Sequence, residues 1–200
     1  MPINLQTLFK PDNAEHLENA KKEAVSKLDV TNEQIKQFID RTAAQGDSPI
    51  WHEMRLGRIT ASKVHSVLHT NTENPAKSVL QGICSPMGNL ASIPAIQWGR
   101  KHGDTAAKHY ENFVQNHHMD SSISKTGLWI SQEHLFIAAS PDALVSCRCC
   151  GSGVVEIKCP YKHKENETEA ILGDKAGCLE VTDGKPTLNP FSPISALSAL

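Results

Sequence analysis

The stretch that decides the fold spans residues 139–160 and reads ASPDALVSCRCCGSGVVEIKCP. Two segments in it, Ala143–Ser146 and Val154–Cys159, are short and rich in apolar and β-branched residues, and turn residues lie between them. Such segments are typical of β-strands joined by a tight connection. We therefore predict a hairpin, with Asp142 at the start of its first strand.

Charged residues interrupt the second of these strands. Side chains alternate between the two faces of a strand, so Glu156 and Lys158 should share one face, while Ile157 and Cys159 point toward the core. Asp142 can reach the same point from the neighbouring strand. The alternative is an ion-pair cluster on a solvated sheet face, because a D…ExK pattern is short and common.

Two carboxylates and a lysine in this arrangement predict chemistry on a phosphodiester. Mg²⁺ prefers oxygen ligands, so Asp142 and Glu156 are candidate ligands, and the backbone carbonyl of Ile157 is a further one. A metal held there would polarise the phosphodiester and lower the pKa of a bound water. Lys158 would orient that water or stabilise developing charge.

Helices are predicted ahead of these strands. Thr31, three residues before Gln34, forms a capping box for a helix that ends near Thr42. The other predicted helices begin at Thr60 and near Ile93, and further strands are predicted at Gly127–Ser131 and Leu135–Ala139. Helices that lead into a run of strands predict an α/β (α+β) fold with a central mixed β-sheet flanked by helices.

Composition limits the classes of function. The chain has 200 residues, of which 39% are hydrophobic, and its formal net charge of −2 does not attract nucleic acid by bulk charge. DNA binding would rest on local basic clusters, such as Arg55, Arg58 and Lys63. No run of about 18 apolar residues and no secretory signal is visible. We expect an intracellular protein, in the nucleus or cytoplasm, that is not secreted and has no membrane partner.

Six cysteines in such a protein are expected to be reduced thiols rather than disulfides. Cys147 and Cys150 have the C-x2-C spacing of a zinc knuckle, and Cys159 with His163 would complete four ligands. The alternative is a turn of reduced thiols, with Cys159 buried as a small apolar residue. The histidine pair His117–His118 is interpreted as a solvated turn.

Three blocks of sequence carry a resemblance to a known family. They are WHEMRLGRITAS at residues 51–62, WGR at 98–100, and ASPD at 139–142 followed by EIKCP at 156–160. In this order they resemble the phage lambda exonuclease and YqaJ viral recombinase branch of the PD-(D/E)XK nuclease superfamily. The resemblance covers about residues 51–162 and implies a restriction-endonuclease-like core.

The resemblance also implies an activity. Such enzymes degrade one strand of double-stranded DNA from a 5′ end with two Mg²⁺ ions, in recombination or viral-type replication, and Mn²⁺ is an alternative cation. Asp142 and Glu156 match the family's metal ligands, and Lys158 matches its catalytic lysine. The positions that hold the terminal 5′ phosphate match Arg55, Ser62 and Ser140. The expected partners are double-stranded DNA ends and two further copies of the chain in a homotrimer.

The chain departs from the family pattern at three places: at Gly103, at Ala143, where the family commonly has glycine, and at the C-terminus. Gly103 stands where a metal-facing glutamate usually follows the WGR block, which puts the second Mg²⁺ in question. Asp104 is rotated by about 100° on the helix, so it does not replace that glutamate. Residues 189–200 do not match the helix with a Gln-x-Gln motif expected there, which predicts a truncated C-terminal tail.

The expected organisation is a helical extension over residues 1–50, a nuclease-like domain over 51–188 and a non-matching tail over 189–200. The leading hypothesis is a metal-dependent deoxyribonuclease that acts on DNA ends. The alternative is a catalytically impaired DNA-end-binding protein of the same fold, which Gly103 and the tail favour. A zinc-stabilised interaction module is a third hypothesis and depends on the cysteines.

Overall fold

The structure is a computed structural model that describes residues 30–85, 88, 92–165, 171–172, 174 and 179–188. These residues fall into two compact units. The described residues up to Ser85, together with Thr126–Ser140, form the first unit. Those from Gly88 to Lys125 and from Pro141 onward form the second unit. Most of the predicted N-terminal extension and the whole predicted tail lie outside the described residues.

In the described chain the helices come first, with one short strand among them, and the other strands follow. The helices are α1 Asn32–Arg41, α2 Pro49–Arg55, α3 Ala61–Leu68, α4 Lys77–Cys84 and α5 Pro94–His117. The strands are β1 Ile59–Thr60, β2 Ser122–Lys125, β3 Trp129–Ile130, β4 Ile137–Ala139, β5 Ala143–Cys147, β6 Gly151–Val155, β7 Leu179–Thr182 and β8 Lys185–Leu188. Two 3-10 turns lie at Gln45–Asp47 and Tyr161–His163.

The first unit contains α1 to α4 and a three-stranded sheet in the order β1-β4-β3. β4 is parallel to β1 and antiparallel to β3, so this sheet is mixed. α1 begins with the predicted capping box, in which the Gln34 N–H donates to the Thr31 hydroxyl and the Thr31 N–H donates to the Gln34 side chain. These two bonds satisfy backbone donors that a helix start leaves unpaired.

The core of the first unit joins α1 and α2 to this sheet. Its buried members are Phe38, Met54, Leu128, Ile130 and Ala138. Thr42, fully buried after α1, donates to the Phe38 carbonyl at 2.8 Å and accepts from the Leu128 N–H at 2.8 Å. A Cβ at Gly127 would overlap the Ile39 carbonyl oxygen and the Thr42 hydroxyl, so only glycine fits at this position. The backbone before β3 therefore packs directly on the end of α1.

The second unit contains α5 and an antiparallel sheet in the order β2-β5-β6, with β7 and β8 as a separate hairpin. β5 and β6 form the predicted hairpin. Its register pairs Ala143 with Val155 at the open end and Cys147 with Gly151 at the turn. α5 contacts the 3-10 turn through Trp98, whose ring lies edge-to-face with Tyr161 at 6.2 Å.

The α/β fold class is confirmed, and several details differ from the prediction. The strands lie in three small sheets, of which only β1-β4-β3 is mixed among the described residues. β6 begins at Gly151 and ends at Val155 rather than Cys159, because Val155 pairs with Ala143, the first residue of β5. β2 has the polar sequence SISK and was not predicted. α4 makes two turns where at most one was expected.

No helix within the described ranges is both long enough and apolar enough to cross a membrane.

Candidate functional site

Asp142, Glu156 and Lys158 lie at the open end of the β5–β6 hairpin. Asp142 directly precedes β5 and Glu156 directly follows β6, and the Asp142 N–H donates to the Val155 carbonyl at 3.0 Å. The Ile157 N–H donates to Oδ2 of Asp142 at 2.6 Å. Nζ of Lys158 contacts Oε1 of Glu156. The structure therefore brings the three predicted residues together, and two adjacent strand ends hold them.

The electrostatics at this hairpin end disfavour an ionised Glu156. The Glu156 side chain is 18% exposed, and its desolvation raises the pKa of its carboxyl. The hydrogen bond and charge of Lys158 act in the opposite direction, and the negative charge of Asp142 raises the pKa further. The carboxylates of Asp142 and Glu156 thus repel each other next to the ammonium group of Lys158. This donor set fits a hard divalent cation, which would relieve the remaining negative charge. A ligand role for the Ile157 carbonyl stays a prediction.

A second group of predicted residues is connected through the first unit. The Arg55 guanidinium lies over the Trp51 ring at 4.1 Å, and its Nη2 donates to Oγ1 of Thr60 at 3.3 Å. The hydroxyls of Thr60 and Ser62 are 3.3 Å apart. Nε1 of Trp51 donates to Oγ of Ser140 at 2.8 Å. Arg55, Ser62 and Ser140 are therefore linked by two intermediaries, Trp51 and Thr60.

The Arg55 cation is desolvated without a carboxylate partner among the described residues. Burial alone lowers the pKa of Arg55 to about 10, so the side chain stays protonated at neutral pH. Arg55, Thr60 and Lys63 line a cleft of about 250 Å³, and Glu53 adds one carboxylate to its lining. A guanidinium and an ammonium in one cleft, with hydroxyl donors beside them, suit a phosphate group.

Arg58 has a different role from its neighbour Arg55. The residue is 1% exposed, and its Nη1 and Nε donate to the carbonyls of Met54 at 2.6 Å and Leu135 at 3.0 Å. Assigning Arg58 to a basic cluster for DNA was therefore wrong, because a guanidinium buried on two carbonyls is not available to a ligand. It ties α2 to the segment that leads into β4.

The helix α5 carries Gly103 at the position where the resemblance predicts a glutamate. A Cβ at Gly103 would have no heavy atom within 4 Å, so the position is open to a side chain. Asp104, the next residue, forms an exposed ion pair with Lys125 at 3.5 Å. The His102 ring stacks on Trp98 at 3.8 Å, and within the described part of the chain its buried Nε2 has no hydrogen-bond partner. That Asp104 does not supply the missing carboxylate stays a prediction.

Four sulphur and nitrogen ligands gather at the other end of the hairpin. His118 follows α5, Cys147 ends β5, and Cys149 and Cys150 lie in the turn before β6. Their ligand atoms all lie within 4.8 Å of one another. A backbone hydrogen bond to Met119, followed by hydrogen bonds to His118 and Cys147, lowers the pKa of Cys149 to about 6. Hydrogen bonds to Cys149 and Cys147 raise the pKa of Cys150 to about 11.

This cluster corrects the ligand set expected from sequence. Cys147 and Cys150 do come together, but His118 and Cys149 accompany them instead of Cys159 and His163. Nε2 of His163 lies 3.0 Å from Oδ2 of Asp174. Burial, and then the charge of Asp142, raises the pKa of the half-buried Cys159. His117, interpreted as part of a solvated turn, is instead the last residue of α5, and the half-buried His118 follows it in a bend.

The linking roles of Trp51 and Thr60 were not predicted, because no local sequence pattern indicates them. Thr60 was predicted as a helix cap, but its side chain makes no cap hydrogen bond and instead contacts Arg55 and Ser62. Trp51 meets Ser140 across 89 positions of sequence. Both residues lie in the block at residues 51–62 that carries the family resemblance. Their position in this block was the sequence feature that could have indicated a role at the site.

A mixed α/β fold that presents two carboxylates and a lysine at one hairpin end is the arrangement predicted for the PD-(D/E)XK nuclease class. Comparison with family profiles agrees: the profile of the YqaJ-like viral recombinase domain matches residues 50–183. The chain therefore belongs to the YqaJ-like viral recombinase domain family. This membership confirms the resemblance to the YqaJ viral recombinase family that was found in the sequence.

Comparison with solved structures gives a more distant similarity. A crystal structure of the Shutoff and Exonuclease Protein from Kaposi's sarcoma-associated herpesvirus matches with a TM-score of 0.41 and 19% sequence identity. The match covers 72% of this chain and 30% of the herpesvirus chain, so this chain spans less than a third of that protein's length. No curated protein sequence matches this chain.

Proposed function

We propose that this chain is a Mg²⁺-dependent deoxyribonuclease that degrades double-stranded DNA from 5′-phosphorylated ends in the 5′-to-3′ direction. The observation that carries the proposal is the convergence of Asp142, Glu156 and Lys158 at the open end of the β5–β6 hairpin. The family supports the nuclease class, and the resemblance of the sequence to exonucleases supports the direction and the end preference. The homotrimer, the intracellular location and the domain limits stay predictions.

Asp142 and Glu156 are the residues that would hold the cation. A Mg²⁺ ion bound there would supply Lewis-acid polarisation of the phosphodiester. Asp142 is kept in place by the Ile157 N–H, which leaves its second carboxylate oxygen for a ligand role. Lys158, paired with Glu156, carries a positive charge to the position where negative charge develops during hydrolysis. Mn²⁺ is expected to substitute, since it also takes oxygen ligands.

Arg55, Ser62 and Ser140 are the proposed ligands of the terminal 5′ phosphate. The charge of Arg55 is desolvated and has no carboxylate partner in the described chain, so a phosphate group would neutralise this charge. Ser140 accepts from Trp51, and its own hydroxyl hydrogen can therefore be donated to a phosphate oxygen. Trp51 and Thr60 are positioning residues in this proposal, because they hold Arg55 from two sides.

A second candidate function is binding of DNA ends without cleavage. Gly103 favours it, since α5 presents no side chain where the family has a metal-facing glutamate, and Asp104 is engaged with Lys125. A chain with one weakened metal site would keep the phosphate-binding residues. Gly103→Glu restores the carboxylate at a position with space for it, and Gly103→Gln is its uncharged control.

The test uses duplex DNA with Mg²⁺, in which the linear substrates are labelled at the 3′ end of one strand and the closed substrates are labelled internally. Four substrates distinguish the end preference from endonuclease activity. They are a duplex with 5′-phosphorylated ends, a duplex with 5′-hydroxyl ends, a duplex capped by hairpins at both ends, and a closed circle. We expect progressive shortening of the labelled strand from its 5′ end, fastest with the 5′ phosphate and absent from capped and circular DNA.

Other outcomes have defined meanings. Cleavage of circular DNA would contradict an exonuclease and indicate an endonuclease. Shortening from the 3′ end would contradict the direction. Binding of phosphorylated ends without cleavage would favour the second candidate, and activity in Gly103→Glu but not Gly103→Gln would then locate the defect at that one position.

A further inference from the structure

We propose that His118, Cys147, Cys149 and Cys150 bind one structural Zn²⁺ ion, which fastens the turn of the β5–β6 hairpin to the end of α5. Neither the carboxylate pair nor the phosphate-binding residues take part in this site. Its occupancy is thus independent of whether the chain cleaves DNA.

Five of the six distances between the ligand atoms lie close to the edges of a tetrahedral zinc site, and the sixth, between Sγ of Cys147 and Sγ of Cys150, is within 4.8 Å. Nδ1 of His118 lies 3.3 Å from Sγ of Cys149, 3.5 Å from that of Cys150 and 3.6 Å from that of Cys147. Sγ of Cys149 lies 3.5 Å from that of Cys147 and 3.7 Å from that of Cys150. Zn–S bonds of about 2.3 Å and a Zn–N bond of about 2.0–2.1 Å require edges of about 3.8 Å and 3.6 Å. One nitrogen already faces all three sulphur atoms.

The backbone around the cluster holds the two contributing segments together. The Arg148 N–H donates to the Met119 carbonyl at 2.9 Å, and the Arg148 and Asp120 side chains form an exposed ion pair at 3.4 Å. Gly151, paired with Cys147, has φ +84°, a left-handed conformation that lets the chain turn sharply after Cys150. Backbone contacts thus bring the ligands from both segments to one point.

The type of ligand decides the metal. Thiolates and an imidazole are the donors of structural zinc, whereas Mg²⁺ and Ca²⁺ take oxygen. Three cysteines and one histidine fill all four positions of a tetrahedral ion, so no position stays open for water or substrate. The ion would therefore stabilise the fold and take no part in hydrolysis.

The β5–β6 hairpin connects the proposed zinc site at its turn to the carboxylates of Asp142 and Glu156 at its open end. The two sites share no residue. The register runs from Cys147–Gly151 at the turn to Ala143–Val155 at the open end, four residues along each strand. At about 3.4 Å a residue this is about 14 Å. Zinc at the turn would therefore restrict the motion of the strands that carry Asp142 and Glu156 at their other end.

The direct test is the metal content of the purified, reduced full chain, measured by plasma mass spectrometry after passage over a chelating resin. We expect one zinc per chain. His118→Ala and Cys149→Ser should lose it, whereas Cys84→Ser, an exposed cysteine in α4, should retain it. Cys159→Ser and His163→Gln should also retain it, which separates this ligand set from the one that the sequence predicted.

A second measurement does not depend on whether the variants fold. The natural chain, stripped with a chelator under reducing conditions, is titrated with Co²⁺ and then Zn²⁺. We expect the absorption of tetrahedral Co²⁺ with sulphur ligands, bleached by one equivalent of Zn²⁺, and an unfolding temperature that rises with zinc. Substoichiometric zinc with no uptake by the stripped chain would overturn the proposal. Zinc lost from Cys159→Ser or His163→Gln but kept by His118→Ala would overturn the ligand assignment.

Discussion

The backbone N–H of Ile157 donates to Oδ2 of Asp142 at 2.6 Å, and this bond joins the two strand ends that carry the candidate site. Asp142 directly precedes β5, and Ile157 lies two residues after the end of β6. One carboxylate oxygen of Asp142 therefore connects the two strands at the open end of the hairpin. The same residue therefore has a structural role through one oxygen and a proposed metal role through the other.

Substitutions of Asp142 should separate these two roles. Asp142→Asn keeps an oxygen acceptor for the Ile157 N–H but removes the negative charge, so we expect an unchanged unfolding temperature and Mg²⁺ affinity reduced at least about tenfold. Asp142→Ala also leaves the N–H unpaired and should cost about 1–3 kcal/mol of stability. Calorimetric titration with Mg²⁺ and thermal unfolding measure both effects. Full Mg²⁺ affinity in Asp142→Asn would remove this carboxylate from the metal site.

Glu156 should make the metal-free protein less stable as the pH rises. Its folded-state pKa is raised, chiefly by desolvation, so the stability it contributes is fully present below the ordinary glutamate pKa and is lost as the pH rises through the raised value. Without divalent metal at pH 8, Glu156→Gln should therefore unfold at a higher temperature than the natural chain. The difference should shrink toward about pH 4.5, near the ordinary glutamate pKa.

Mg²⁺ should reverse this order by stabilising only the natural chain. Glu133→Gln, an exposed glutamate, is the matched control and should follow the natural chain throughout. A Glu156→Gln variant that is less stable at pH 8 without metal would contradict the assigned burial effect.

Arg55 and Arg58 are three residues apart and should respond in opposite ways. Arg55→Lys should keep the fold but reduce the preference for 5′-phosphorylated over 5′-hydroxyl ends by about tenfold or more, because an ammonium cannot form the two-pronged contact. Arg58→Met leaves the carbonyls of Met54 and Leu135 without their donor and should cost about 3 kcal/mol. The ratio of cleavage rates and the unfolding temperature report these outcomes. A stable Arg58→Met variant would show that the buried guanidinium is dispensable.

Two glycines should respond differently to the same change. Gly103→Ala adds a methyl group to a helix interior where no heavy atom lies within 4 Å, so we expect about 1 kcal/mol of stabilisation. Gly127→Ala would push a methyl group into the Ile39 carbonyl oxygen and Thr42, and should destabilise by about 3 kcal/mol. For a chain of this size, 1 kcal/mol corresponds to about 2–4 °C in unfolding temperature. Equal shifts for the two variants would contradict the packing described around Gly127.

Features with a local pattern could be predicted from the sequence. The capping box Thr31–Gln34 and the β5–β6 hairpin follow from such local spacings. The shared strand face predicted for Glu156 and Lys158 was wrong, because β6 ends at Val155, although the two side chains contact each other. β2 was not predicted, because its residues are polar and mostly exposed and show no clear alternation of apolar and polar side chains. α4 was not predicted because Pro75 and Pro86 flank it and Gly82 lies within it.

Contacts between distant segments could not be predicted in this way. The Trp51–Ser140 hydrogen bond spans 89 positions, and the approach of His118 to Cys149 spans 31. Each depends on where the chain returns after an intervening element, which no spacing rule encodes. The expected zinc ligands illustrate the difference: the C-x2-C pair was found from its spacing, whereas its histidine came from the end of α5.

The measurement that tests the central claim most directly compares the natural chain with Lys158→Ala on linear, 5′-phosphorylated duplex DNA in Mg²⁺. Lys36→Ala, an exposed lysine on α1, is the matched control, and thermal unfolding verifies that all three proteins are folded. We predict hydrolysis by the natural chain and the control, its loss on addition of a chelator, and a decrease of at least about 10²-fold in Lys158→Ala. Hydrolysis that persists at the natural rate in folded Lys158→Ala would contradict the assignment of the hairpin end as the catalytic centre.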